Sequence, residues 1–217
     1  SDTVNQILEE IKSNKDNFQP SQISGPKGDG IINLDFRNNK TAYFDILYKE
    51  RDKSVVLKNT EELLRSDILK NLLGTSPYPL CNFNKTDYHE TQVSRYGDSE
   101  QKYDWHNDRI DDSPMRVITI SMYFFNEPKK FNGGEITLSN GLLHEHKIVG
   151  ESEHITYEVK NNSCIIFDSR TPHCVHPTNS PDDFESGRFS IQIWIGKLPL
   201  NDNILNSLGS YIRCGLT

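Results

Sequence analysis

The 217-residue sequence lacks any run of about 18 apolar residues, the length that a helix needs to cross a bilayer, so we expect no transmembrane helix. It also shows no basic segment followed by an apolar stretch at its start, so we predict a cytoplasmic protein without a secretory signal. Cysteine is scarce, and the four cysteines show no CxxC spacing, so we expect reduced thiols. These cysteines are Cys81, Cys164, Cys174 and Cys214.

The sequence also has fewer basic than acidic residues. The chain has 24 Lys and Arg against 31 Asp and Glu, which gives a formal net charge of -7. Proteins that bind DNA or RNA depend largely on neutralising phosphates, so we expect no nucleic acid as a partner of this acidic chain. The missing apolar run likewise leads us to expect no membrane partner. The overall charge still leaves room for a local basic groove.

The first 90 residues combine helical and extended patterns. Apolar residues at helical spacing predict a helix over Val4–Ile11, and residues 31–57 predict two or three strands. A second helix is predicted to begin at a cap formed by Asn59 or Thr60 and to end at Gly74. Its apolar stripe would consist of Leu64, Ile68 and Leu72.

After Thr91 the sequence becomes a series of short β-rich runs separated by turn residues. These runs are TQVSRY, RVITISMYFF, GEITL, LLHEHKIV, HITYEV, SCIIF and RFSIQIWI. Many short strands after an early helical region predict a mainly β fold, a sandwich or barrel, with helices flanking one sheet. We expect one domain, with helical and strand support over 1–90, a β-core over 91–196 and a tail helix over 197–217.

Two segments carry candidate metal ligands. In an extended Trp105–Asp108 segment, His106 and Asp108 would point to the same face and could bind one metal ion. Such a triplet alone is weak, because chance gives on the order of 0.5 per chain of this composition, and a surface loop is the alternative. A third ligand could come from His173 or His176, which follow a β-rich run. Two histidines and one carboxylate are the ligand set of non-haem iron(II) oxygenases.

The last β-rich run has two different faces. Phe189 and the isoleucines that follow it form one face, and the other face consists of Arg188, Ser190, Gln192 and Trp194. The polar face could lie in water, as in an ordinary two-faced strand, or it could line a pocket inside a barrel. In the pocket, Arg188 could bind a carboxylate through two parallel hydrogen bonds.

Together these residues resemble the prolyl 4-hydroxylase-like family of Fe(II)/2-oxoglutarate-dependent oxygenases. The resemblance covers about residues 91 to 196 and rests on five motifs in the family's order. These motifs are Arg95-Tyr96-Gly97, Tyr103-Asp104-Trp105-His106-Asn107-Asp108, Gly133-Gly134-Glu135-Ile136-Thr137-Leu138, His173-Cys174-Val175-His176-Pro177-Thr178 and Gly187-Arg188-Phe189-Ser190-Ile191. One departure is the fifteen-residue separation of Arg188 from His173, which exceeds that of close relatives and fits an inserted loop.

The resemblance implies a double-stranded β-helix, that is, a jelly-roll or cupin-like core. It implies that His106, Asp108 and His173 bind the iron, which leaves His176 as the second choice. By the same matching, Arg188 would bind the distal carboxylate of 2-oxoglutarate. Tyr96 would hydrogen-bond this cosubstrate, although a core aromatic is the alternative for that position.

The resemblance also implies a dioxygenase that uses Fe(II), 2-oxoglutarate and O2, and it leaves ascorbate open as an additional cofactor. The expected reaction is hydroxylation of a C–H bond, most simply in a prolyl residue of a peptide or protein, with release of succinate and CO2. A carboxylate at position 108 favours hydroxylation over halogenation, because the related halogenases lack it. The alternatives are a hydroxylase of a free amino acid or small metabolite, and a non-catalytic β-barrel that binds a metal or a carboxylate.

Overall fold

A computed structural model describes residues 2–24, 29–74, 88–98, 100–109 and 116–196. Its helices are α1 (Asp2–Ser13), α2 (Phe44–Leu47), α3 (Val55–Arg65) and α4 (Asp67–Gly74). Its strands are β1 (Gln19–Pro20), β2 (Ile23–Ser24), β3 (Gly30–Ile31), β4 (Arg37–Asn38), β5 (Lys40–Tyr43), β6 (Tyr88–Tyr96), β7 (Gln101–His106), β8 (Arg116–Phe124), β9 (Asn132–Gly133), β10 (Ile136–Ser139), β11 (Leu142–His144), β12 (Lys147–Val149), β13 (His154–Tyr157), β14 (Ser163–Asp168), β15 (His173–Asn179) and β16 (Arg188–Gly196).

The strands form two main antiparallel sheets. The major sheet has the order β1-β5-β6-β16-β8-β14, and the minor sheet has the order β13-β10-β15-β7-β4, with β9 also paired to β15. Two separate hairpins, β2–β3 and β11–β12, complete the described strands. Strands that are far apart in the sequence are neighbours in both sheets, so residues of distant motifs can face one another across the interior.

The main hydrophobic core lies between the helices and the outer face of the major sheet. Helix α1 contributes Val4, Ile7, Leu8 and Ile11, all of which are buried, as the helical spacing predicts. The sheet contributes Phe189 and the isoleucines of β16, which are at most 2% exposed. Burying an isoleucine side chain of this kind stabilises the fold by about 1.5–3 kcal/mol. The apolar face of β16 therefore packs against helices, and its polar face is turned into the space between the sheets.

The region predicted as one helix up to Gly74 contains two helices. Helix α3 begins earlier than predicted, because the Ser54 side chain accepts a hydrogen bond from the backbone N–H of Leu57 and caps it. The chain then breaks at Ser66 before α4 begins. This break shifts the helical register, so Ile68 is 73% exposed and Leu69 is buried in its place. The predicted apolar stripe was therefore wrong at Ile68.

The secondary structure of two other segments was also predicted wrongly. The segment Phe44–Leu47, predicted as part of a strand, forms helix α2, and LLHEHKIV forms the β11–β12 hairpin instead of one strand. The predicted tail helix over 197–217 lies outside the described residues. Cys164 and Cys174 are free, as expected, whereas Cys81 and Cys214 also lie outside the described residues. None of the described helices has the length and apolar character that crossing a membrane requires.

Candidate metal centre

Two strands of the minor sheet bring the candidate ligands together. His106 ends β7 and His173 begins β15, and the two residues are directly paired in register across these antiparallel strands. Asp108 follows β7 by two residues, and its carboxylate oxygens lie 3.9 Å from His106 Nε2 and 3.6 Å from His173 Nε2. All three side chains are buried, and their ligand atoms lie within 4.8 Å of one another. In the described part of the chain, this is the one such group of three that could hold a metal ion.

The hydrogen bonds of both imidazoles prepare them for a metal. His106 Nδ1 lies 2.7 Å from the carbonyl oxygen of Asp104, and His173 Nδ1 lies 2.9 Å from that of Thr171. A carbonyl oxygen only accepts, so each Nδ1 carries the proton and each Nε2 keeps a free lone pair. Burial, and then the neighbouring imidazole of His173, lower the pKa of His106 well below its usual range. Its ring is therefore neutral, as metal binding requires.

Two hydrogen bonds fix the position of Asp108. Thr119 Oγ1 donates a hydrogen bond of 2.7 Å to Asp108 Oδ2, and the Asp108 backbone N–H donates to the carbonyl of Ser169. Burial alone would raise the pKa of Asp108, but the two imidazoles, the Arg116 guanidinium and the Thr119 hydroxyl outweigh it and lower that pKa. The carboxylate is thus ionised and fixed in orientation, which suits a hard divalent cation.

A cavity of about 720 Å³ opens between the two sheets beside this cluster. Arg188 lines it from β16 and is 1% exposed, which makes it the largest of the fully buried side chains. Its guanidinium lies 4.8 Å from the ring centres of both Tyr96 and Tyr123. Its guanidinium donates a long hydrogen bond of 3.5 Å to Ser190 Oγ, and its Nε has no partner among the described residues. A buried guanidinium in this state is suited to bind an anion.

Two neighbouring features support the position of Arg188. Gly134 has φ +76, and a Cβ atom there would lie 2.9 Å from Arg188 Cδ, so this glycine lets the backbone pass the arginine closely. The residues inserted before Arg188 form the connection from β15 to β16. Within this connection, Phe184 packs against Phe18 and Phe189, with ring centres 5.3 Å apart in each pair. Phe184 therefore attaches this connection to the core, although residues 181–183 and 185 are exposed, and Arg188 remains on the cavity side.

The remaining histidines lie outside the cluster. His176 Nε2 contacts Thr137 Oγ1 at 2.7 Å, so the structure favours His173 as the third candidate ligand. His146 lies in the turn of the β11–β12 hairpin, so it does not share a strand face with His144. His154 is exposed on the edge strand β13. His89 is 3% exposed in the internal strand β6.

Several cavity residues carry no strong sequence signal and became visible only in the fold. The ring of Tyr103 stacks on His106, with centroids 3.4 Å apart, and burial raises the pKa of Tyr103 to about 12. Tyr103 is fixed in strand β7, where it is paired with Val175. The buried hydroxyl of Tyr123 has no hydrogen-bond partner among the described residues and lies next to Arg188. An alternation of polar and apolar residues along β8 is the one signal that could have indicated it.

Comparisons with known proteins found one family model and one curated relative. Residues 91–196 match the family model described as the 2OG-Fe(II) oxygenase superfamily. An uncharacterized PKHD-type hydroxylase of Synechocystis sp. is 36% identical over 134 residues, which are 59% of this chain. The chain spans only 42% of the length of that relative.

Solved structures share the fold at low sequence identity. A prolyl hydroxylase from Trichoplax adhaerens, in complex with a peptide fragment of the hypoxia inducible factor oxygen degradation domain, has a TM-score of 0.61 at 17% identity. That match covers 97% of this chain and 83% of the hydroxylase. A Pseudomonas putida prolyl-4-hydroxylase has a TM-score of 0.58 at 17% identity, covering 91% and 88% of the two chains.

The two facing sheets are thus a double-stranded β-helix, and two histidines with one carboxylate at its cavity are typical of non-haem iron(II) oxygenases. The matched segment contains all three of these residues as well as Arg188 and Tyr96. Residues 91–196, about half of the chain, therefore form a domain of the 2OG-Fe(II) oxygenase superfamily.

Proposed function

We propose that the protein is a dioxygenase that uses Fe(II), 2-oxoglutarate and O2 to hydroxylate a prolyl residue of a peptide or protein. The observation that carries the proposal is the combination, in one cavity, of the His106–Asp108–His173 cluster with the buried guanidinium of Arg188. When bound, Fe(II) and 2-oxoglutarate would supply the oxidising chemistry, and the cosubstrate would leave as succinate and CO2.

The protein's own residues would bind and orient these reactants. Nε2 of His106, Nε2 of His173 and the carboxylate of Asp108 would hold iron on one side and leave the cavity side open. Arg188 would bind the distal carboxylate of 2-oxoglutarate, because burial without a carboxylate partner makes its guanidinium the strongest anion site there. Tyr96 lies against this guanidinium and would help to position the same carboxylate.

A prolyl substrate is supported by the relatives and by the cavity itself. The solved structures that share the fold include prolyl hydroxylases, one of which holds a peptide. In this chain, the rings of Tyr103 and Trp194 line the same cavity as the candidate metal centre. Tyr103 already contacts His106 and Arg37, and Arg116 lies over one face of Trp194. The other face of Trp194 would pack against a pyrrolidine ring. The prolyl assignment therefore requires no residue beyond those already present.

A turnover assay tests the proposal. Purified protein with Fe(II), 2-oxoglutarate and proline-containing peptides should release succinate and add one oxygen to a peptide, measured by mass. Asp108→Ala should abolish both signals, whereas Asp16→Ala, at an exposed position, should leave them unchanged. Parallel reactions with ascorbate would show whether it supports turnover.

The other outcomes identify the alternatives. Oxygen added to free amino acids but to no peptide would replace the prolyl substrate with a small molecule. Intact metal binding without succinate would contradict the proposal and indicate a non-catalytic metal-binding β-barrel.

A further inference from the structure

The charges inside the cavity point to a second anion besides the cosubstrate. Three described arginines are buried: Arg37, Arg95 and Arg188. Arg95 forms an ion pair with Asp98, whereas neither Arg37 nor Arg188 forms an ion pair with any carboxylate of the described residues. Both of these arginines line the cavity. Buried charges in proteins are usually paired, so we expect each of the two guanidiniums to bind an anion.

Arg37 has only neutral contacts. Its Nη1 donates to the carbonyl oxygen of Gln22 at 2.9 Å, and its Nε donates to Asn39 Oδ1 at 3.1 Å. Its guanidinium also lies over the Tyr103 ring, 4.6 Å from the centroid. These contacts fix the orientation of the guanidinium without neutralising its charge, and they leave Nη2 without a described acceptor.

Arg37 is also close to the metal cluster. Strand β4 pairs with β7, and Arg37 lies directly opposite Tyr103 in that pairing. The Tyr103 ring stacks in turn on His106. The Tyr103 ring therefore contacts both the Arg37 guanidinium and a candidate metal ligand. A group bound by Arg37 would therefore lie in the same cavity as the candidate metal centre, one aromatic ring away from His106.

The cavity has few negative charges that could occupy this place. Three described carboxylates line it: Asp29, Asp108 and Glu145. Asp108 belongs to the candidate metal centre, and Asp29 and Glu145 are exposed. The acidic overall charge of the chain is thus reversed locally around Arg37. If the distal carboxylate of 2-oxoglutarate binds Arg188 and its other carboxylate binds the metal, the cosubstrate leaves Arg37 without an anion.

We infer that Arg37 binds a carboxylate of the substrate, so that the enzyme selects substrates that carry a carboxylate next to the carbon to be hydroxylated. This inference rests on the proposed function, because it assumes that the substrate enters this cavity. The carboxylate could be the side chain of an acidic residue beside the target proline, or the α-carboxylate of a terminal or free amino acid. Both sources offer the same planar group to the same guanidinium.

Calorimetric binding with the protein loaded with Mn(II) and 2-oxoglutarate tests the inference without turnover. The probes form two matched pairs: N-acetylproline against N-acetylprolinamide, and a blocked Asp-Pro dipeptide against a blocked Asn-Pro dipeptide. We expect the carboxylate-bearing member of at least one pair to bind about 10- to 100-fold more tightly, the range for a hydrogen bond to a charged group. The pair that shows the preference identifies the source of the carboxylate.

Variants then assign the preference to Arg37. Arg37→Gln should abolish it, and Arg37→Lys should keep part of it because the charge remains. Arg65→Gln should retain the full preference, because Arg65 is an exposed arginine paired with Glu61 on helix α3. The affinity for 2-oxoglutarate should stay unchanged in Arg37→Gln, which separates this residue from the proposed cosubstrate anchor.

Three results would overturn the inference. These are equal binding of both members in both pairs, no binding by any carboxylate-bearing probe, and a weakened affinity for 2-oxoglutarate in Arg37→Gln. Succinate release measured with the same compounds tests the proposed function separately. A carboxylate preference without succinate would refute the proposed function and leave the anion site standing. Succinate release without a carboxylate preference would refute the anion site and leave the proposed function standing.

Discussion

Replacing Arg188 with methionine should separate cosubstrate binding from folding. Methionine fills a similar elongated volume, but it offers neither the charge nor the donors that a carboxylate needs. Removing one partner of a buried, hydrogen-bonded charge pair costs about 2–5 kcal/mol of binding free energy. We therefore expect the dissociation constant for 2-oxoglutarate to rise roughly 30-fold or more, since about 1.4 kcal/mol corresponds to a factor of ten.

The same substitution should have a small effect on the free protein. Arg188→Met removes the contacts with the rings of Tyr96 and Tyr123, each worth about 0.5–2 kcal/mol. It also removes a buried guanidinium whose transfer from water costs several kcal/mol without a carboxylate partner. These two effects oppose each other, so the melting temperature without ligand should stay the same or rise.

Calorimetry with Mn(II) and thermal unfolding would measure both quantities. Arg170→Met is the matched control, because Arg170 is an exposed arginine whose partner, Asp168, lies outside the cavity. Its affinity for 2-oxoglutarate should equal that of the wild type. If Arg188→Met bound 2-oxoglutarate normally while its melting temperature fell by many degrees, Arg188 would be a structural residue and the assignment would be refuted.

Two further substitutions have definite expected outcomes. Gly134→Ala should raise the 2-oxoglutarate concentration that turnover requires, because the new Cβ would displace Arg188. Gly150→Ala is the control, because its φ of +79 is similar but nothing lies within 4 Å of its Cβ, so it should share only the backbone strain. Equal 2-oxoglutarate requirements in the two variants, measured by titrating turnover, would contradict this prediction. Burial is the main cause that lowers the pKa of His89 to about 3 in the folded protein, whereas its pKa in the unfolded chain is about 6.5. The unfolded chain therefore binds more protons between these values, and stability should be lost as the pH falls from about 6.5 towards 3. His89→Gln should remove about 2 kcal/mol of the loss between pH 7 and pH 5 in urea unfolding, and an unchanged pH dependence would argue against a buried neutral imidazole.

The parts of the site that could be predicted from the sequence are those fixed by strand geometry. His106 and Asp108 share a face because they are two residues apart at the end of a strand, and Arg188 and Gln192 share a face for the same reason. The motif order also placed His173 beside His106, although sequence spacing alone could not choose between His173 and His176. That choice follows from the register of β15 against β7, which is a tertiary property.

The remaining features depended on contacts that the sequence does not state. Tyr103 and Arg37 belong to neighbouring strands whose pairing is set by the whole sheet, so their stacking beside the metal centre had no local signal. The break at Ser66 was missed because the helical periodicity on either side reads as continuous. His89 is buried because an internal strand places it against Arg51 beneath the sheet, and its own neighbours in sequence give no indication of that partner.

A crystal structure of the protein with Mn(II) and 2-oxoglutarate would test the central claim most directly. The account predicts a single ion bonded to Nε2 of His106, Nε2 of His173 and a carboxylate oxygen of Asp108, with the distal carboxylate of 2-oxoglutarate on Arg188. An ion bonded by His176 in place of His173, or a cosubstrate whose distal carboxylate lies away from Arg188, would contradict it.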